Sequence, residues 1–163
     1  TLPGQPTSQT QPQAAPETRP AGLVEMAYLL DTDTCIYLLT GNQPRHQRNI
    51  LVRLDALPRN ERPMVSTITV SELRYGVRKS RWHKANQKLL EDFLLDFNVH
   101  GYGADATVFY GELRTDLEKR GQPIGPMDMM IAAHALSLDA TLVTHNTREF
   151  ARVKGLRIED WAA

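Results

Sequence analysis

Short apolar runs that stop at polar residues, alternating with segments of helical period, constrain this chain more than any other feature. Ala27-Tyr28-Leu29-Leu30 ends at Asp31. Met64–Ile68, Asn98–Tyr102, Thr141–Thr144 and Leu156–Ile158 repeat the pattern. Between them the punctuation is helical. Thr32–Thr40 closes on Gly41-Asn42, and Pro44 opens a run to about Leu57. Thr69 or Ser71 can cap a helix reaching Lys79, with Glu72 in its first turn. Leu89, Leu90, Phe93, Leu94 and Phe97 form the stripe of an amphipathic helix over residues 82–97. Ala106 to Leu117 forms another helix, ended by Gly121. Pro126–Leu138 and the short Thr147–Val153 complete the set. Such alternation predicts an α/β fold: a short, mainly parallel central sheet of four or five strands sandwiched by helices.

The first 25 residues stand outside this pattern. They hold five of the ten prolines and no aromatic residue. Proline blocks both helix and ladder, and so little apolar surface does not offset ordering entropy. Residues 1–25 are read as a disordered extension or non-native leader, and residues 26–163 as the folded domain. A chain of 163 residues suits one domain with such a tail. Its 19 basic and 19 acidic residues exclude a polybasic nucleic-acid coat, though not a local basic face. One cysteine, Cys35, excludes an intrachain disulfide and a thiolate zinc cluster. No run reaches the roughly 18 apolar residues of a membrane helix, so a cytoplasmic location is expected.

In open α/β sheets, sites lie at the carboxyl ends of strands. Three acids and an amide occupy such positions. Asp31 comes directly after the first strand; it can cap the next helix or carry chemistry. Glu72 comes after the second strand and can equally complete a capping box with Thr69. Asp128 lies in the first turn of an apolar helix, where the helix dipole also favours it. Asn146 comes after the Thr141–Thr144 strand, where turn chemistry suits it too. Taken together, carboxylates brought this close repel one another unless a cation intervenes. Hard oxygen donors suit Mg²⁺, or Mn²⁺ in its place. The chemistry such a cluster supports is metal-assisted hydrolysis of a phosphate ester.

Four ordered motifs resemble the PIN-domain ribonucleases, and most of all the VapC toxins of bacterial type II toxin–antitoxin modules. They are Leu29–Thr34, Ser66–Leu73, Gly125–Ala135 and Val143–Phe150, with a closing Ile158-Glu159-Asp160-Trp161. The resemblance implies a Mg²⁺-dependent endoribonuclease that inhibits translation by cleaving RNA such as tRNA. It also implies a homodimer and a cognate antitoxin that occupies the acidic groove. Carried over by motif, Asp31, Glu72, Asp128 and Asn146 form the catalytic set, and Asp31 and Asp128 are the metal ligands. An amide at Asn146, where many PIN domains have a fourth acid, contributes no charge, and Glu149 is the nearest acid to replace it. Asp33 is placed beside the ligands rather than among them. Thr32, Ser66 and Thr69 are auxiliary candidates that hydrogen-bond carboxylate or phosphate, or simply cap.

Arg74, Arg78, Lys79, Arg81 and Lys84 are candidate RNA contacts, although a solvated helix face explains such a run as well. His134 and Cys35 are read as packed residues. Two other readings compete. Leu29–Thr34 also fits the opening motif of haloacid-dehalogenase-like phosphatases, with Asp31 as nucleophile. That family needs a later Gly-Asp acid motif, and no Gly-Asp pair exists here. The other is a decayed module that binds RNA or an antitoxin without cleaving, which Asn146 would permit.

Overall fold

The computed structural model describes residues 26–163. The reading of residues 1–25 lies outside them. Five strands form one sheet: β1 (Tyr28–Leu30), β2 (Met64–Ser66), β3 (Asn98–His100), β4 (Thr141–Val143) and β5 (Ile158–Glu159). Their order is β3-β2-β1-β4-β5, and every pairing is parallel. The expected architecture is therefore present, with the sheet wholly rather than mainly parallel.

Successive strand residues face opposite sides, and each side has its own core. Leu29, Met64 and Leu142 pack under α5 (Ala104–Lys119) and α6 (Pro126–Ser137). Leu30, Val65 and Val143 pack against α1 (Thr32–Thr40), α2 (Pro44–Asp55), α3 (Thr67–Lys79) and α4 (His83–Leu94). The four-residue α7 (Thr147–Phe150) comes after β4. Both layers bury apolar residues on one sheet, which is why three-residue strands suffice.

Several boundaries differ from the sequence reading; β3, expected to reach Tyr102, ends at His100. β2 stops at Ser66 rather than Ile68, because the Ser66 hydroxyl accepts from the Ile68 N–H at 3.1 Å and caps α3 there. Neither Thr69 nor Ser71 is the cap, and Glu72 falls in the second helical turn rather than a capping box. The helix over 82–97 ends at Leu94; Leu95, Asp96 and Phe97 instead bond three residues back, a tightened last turn. The helix expected to reach Val153 ends at Phe150. At the end of α1, Gly41 has φ of 59°, a left-handed cap that a side chain would strain.

His134 is fully buried on α6, and Cys35 on α1, as expected of packed residues. The Gly101 carbonyl takes one ring N–H of His134. Nδ1 is then left to accept from the Ser66 hydroxyl at 2.8 Å. Burial, with His100 nearby, holds the imidazole below its ordinary pKa and so neutral. Ser66 thereby joins β2, α3 and α6 in one contact. His134→Ala opens a cavity and strands the Ser66 hydroxyl. It should cost roughly 3 kcal/mol in a urea melt.

Candidate active site

The parallel sheet delivers its acids to one edge. Leu29 and Leu30 are locked between β2 and β4, so Asp31 leaves the sheet at its mouth. Its N–H donates to the Val143 carbonyl at 3.0 Å, and its Oδ1 caps α1 by accepting from the Thr34 N–H at 2.8 Å. Capping and chemistry are thus not alternatives: the cap orients the second carboxylate oxygen. Asp31 is only 3% exposed, and burial pushes its pKa up to about 6. The Thr144 hydroxyl and Thr34 partly offset that, and Asp33 adds to it. Thr34 and Thr144, both buried, are site-supporting residues that the sequence reading missed. Their only sequence signal is a hydroxyl within four residues of a strand end.

Asp31, Asp33, Glu72, Asp128 and Asn146 line one cleft of about 510 Å³, together with Thr32, Tyr75 and Met127. α6 brings in Asp128, and its N-cap, Gly125, keeps the space beside it clear. A Cβ there would sit 3.1 Å from the Asp128 carboxylate oxygen. Asp128 is also raised to about 6, by burial first and then by Glu149, Glu72, Asp31 and Asp33. Four acids therefore act on a fifth, which is the electrostatic condition a bound cation relieves.

The auxiliary candidates divide. Thr32 Oγ1 donates to Glu72 Oε1 at 2.6 Å and lies 3.2 Å from the buried Thr69 hydroxyl. A hydroxyl has one proton, so Thr69 donates to Thr32 and Thr32 to Glu72. Ser66 is not at the mouth; it is spent on the α3 cap and His134. The Asn146 amide donates to Glu149 Oε2 at 3.1 Å, which tethers that carboxylate. Glu149 does not line the cleft, yet its charge acts on Asp128 more than any other. Arg74, Arg78, Lys79, Arg81 and Lys84 are distributed along α3 and the turn into α4, on the solvent side of those elements.

The donor set is hard oxygen throughout, which fits a divalent cation such as Mg²⁺. Among the described residues no three His, Cys, Asp or Glu side chains converge into a closed metal cage. One or two carboxylates completed by water and substrate phosphate is how Mg²⁺ is usually held. A fold with helices on both faces of a short parallel sheet, carrying such a mouth, defines a class of protein suited to metal-assisted hydrolysis of phosphate esters.

The chain belongs to the PIN-domain family, whose model matches residues 28–156. Within that family it belongs with the VapC ribonucleases. It is 40% identical to Ribonuclease VapC2 of Rickettsia felis over 136 residues, 83% of this chain and 98% of the relative. It is equally identical, over the same shares, to the tRNA(fMet)-specific endonuclease VapC of Salmonella typhimurium. The structure of VapBC-1 from nontypeable Haemophilus influenzae superposes with a TM-score of 0.77 at 38% identity. That likeness covers 85% of this chain and all of the neighbour. These matches favour neither the phosphatase nor the decayed module. No helix among the described residues is long and apolar enough to cross a membrane.

Proposed function

We propose that this chain is the toxin of a type II toxin–antitoxin pair, a Mg²⁺-dependent endoribonuclease that cleaves RNA, tRNA in particular, in the cytoplasm. The observation that carries the catalytic part is the cleft in which Asp31 and Asp128 both have pKa values raised to about 6. The name of the Salmonella relative supports tRNA as the substrate class. The family resemblance supports a homodimer and a cognate antitoxin over the acidic groove. Mn²⁺ would serve the same donors as Mg²⁺.

Asp31 and Asp128 would hold the cation, which would offset charge on the phosphodiester and make water a better nucleophile. Asp31 is fixed for this by its cap to Thr34 and by Thr144. Glu72, clamped by Thr32, orients the attacking water. Asn146 cannot take a proton; it holds Glu149 in the place of a fourth acid. Glu149 raises the negative field at Asp128 and so strengthens its hold on the cation. Residues 26–163 are the nuclease domain.

The test is cleavage of an initiator tRNA transcript by the full chain with Mg²⁺, against Asp128→Ala and Glu149→Gln. Asp128→Ala should lose at least about a thousandfold in rate, the scale of a lost electrostatic catalyst. Glu149→Gln should lose less, on the order of tenfold, and need more Mg²⁺. Equal cleavage by wild type and Asp128→Ala would falsify the catalytic assignment. Tight tRNA binding without cleavage in Mg²⁺ or Mn²⁺ would instead identify a decayed module.

A further inference from the structure

α3 carries more than Glu72 to the cleft. Tyr75 and Lys79 come next at spacings of three and then four residues, which places all three on one helical face. Tyr75 lines the acidic cleft, yet its side chain is 68% exposed and belongs to neither core. The Lys79 ammonium stands 5.8 Å from the Tyr75 ring centroid. Trp82, the N-cap of α4, is also exposed, at 70%. Among the described residues none of Arg74, Arg78, Lys79, Arg81 and Lys84 is paired with a carboxylate.

Two large aromatic residues, each about two-thirds exposed, bury little of their apolar surface in the fold. Interleaved with unpaired cations beside a phosphodiester-cleaving mouth, they match the chemistry of single-stranded RNA. Unstacked bases lie on aromatic faces, and cations track the phosphates. A ring backed by an ammonium is also held in a defined orientation. The cations of α3 supply charge for phosphates and the exposed Tyr75 ring supplies a flat apolar face for a base, a pairing that suits a nucleic-acid strand.

We propose that Tyr75 is a base-stacking subsite. It holds the base of the nucleotide next to the phosphodiester at Asp31 and Asp128, and Lys79 takes a neighbouring phosphate. The inference rests on the ribonuclease reading above, and it is tested by binding rather than cleavage. Two fluorescein-labelled RNA 12-mers serve as probes: oligo(A), and an abasic ribose-phosphate strand of equal charge. Anisotropy is read with the full chain in Ca²⁺, and strand integrity is checked on a gel.

Wild type should bind oligo(A) about tenfold tighter than the abasic strand, the scale of one stacked base. Tyr75→Ala should lose that preference and keep wild-type affinity for the abasic strand and an unchanged Tm. Tyr75→Phe should keep the preference. Lys79→Gln should weaken both strands and flatten the salt dependence. Three results overturn the subsite: no preference in wild type, oligo(A) binding unaffected in Tyr75→Ala, or equal losses on both strands. Loss of binding to an antitoxin alone, with RNA binding intact, overturns it too. An Asp128→Ala variant that still cleaves would remove the catalytic reading and leave a base-dependent loss at Tyr75 standing, so the two failures are separable.

Discussion

Asp31→Asn is expected to abolish RNA cleavage, by about a thousandfold or more, and to melt at a higher temperature than wild type. The two effects have one cause. Asp31 is 3% exposed, and its pKa is pushed up to about 6, so holding it ionised at neutral pH costs folding free energy. A shift of that size corresponds to about 3 kcal/mol. Asn keeps an oxygen for the Thr34 N–H, so the α1 cap survives. The buried charge disappears and the strain with it. A gain of roughly 5 °C in Tm is expected, allowing for the imperfect fit of an amide. Calorimetry and a cleavage assay on the same preparation check it. A Tm below wild type would show that the Asp31 charge stabilises the fold rather than burdening it. Asp31→Ala separates the contributions: it is equally inactive, but it loses the cap and should melt lower than Asp31→Asn.

Stability should also fall as pH rises, and Mg²⁺ should reverse the fall. Asp31 and Asp128 have folded pKa values raised to about 6, above the ordinary carboxylate value. The folded state therefore binds protons more tightly than the unfolded chain. That stabilisation is complete below pH of about 4 and is lost as pH climbs through about 6. In chelator, urea melts should show wild type losing about 3 kcal/mol across that window from Asp31 alone. Half-buried Asp128 adds a smaller, solvent-screened part. Asp31→Asn should flatten most of the slope. Above a pH of about 6 a cation takes the place of the protons, so saturating Mg²⁺ should raise Tm at about pH 7 and change little at about pH 4.5. A Mg²⁺ effect of the same size at both pH values would mean that the cation binds elsewhere.

The acids of the mouth were legible because Asp31 lies just beyond a short apolar strand, Glu72 in the helix that leaves one, and Asp128 at the start of an apolar helix. A parallel sheet gathers the chain leaving its strands at a single edge. Asp31, Glu72, Asp128 and Asn146 all line the same cleft. The features that escaped depend on hydroxyls and boundaries. Ser66, Thr69 and Ser71 can each cap a helix; which one does so is decided by where β2 stops pairing with β1 and β3. Thr144 supports Asp31 from the neighbouring strand, and the Thr34 hydroxyl donates to the Val143 carbonyl at 3.1 Å, contacts across the sheet that no local spacing announces. The Asn146–Glu149 tether needs the tight turn of α7. Tyr75 looks like any interfacial aromatic until its exposure is known.

β4 lies beside β1 although more than 100 residues separate them in the chain. Asp31 meets the Val143 carbonyl, Thr144 and Asp128 only once that strand is inserted. During synthesis Asp31 and Glu72 emerge long before the partners that complete the cleft. A chain that stops before α6 carries Asp31, Asp33 and Glu72 but neither Asp128 nor the β4 contacts of Asp31. Pairing across so long a stretch of chain carries a loop-closure cost, so the acids become one cleft only when β4 joins the sheet.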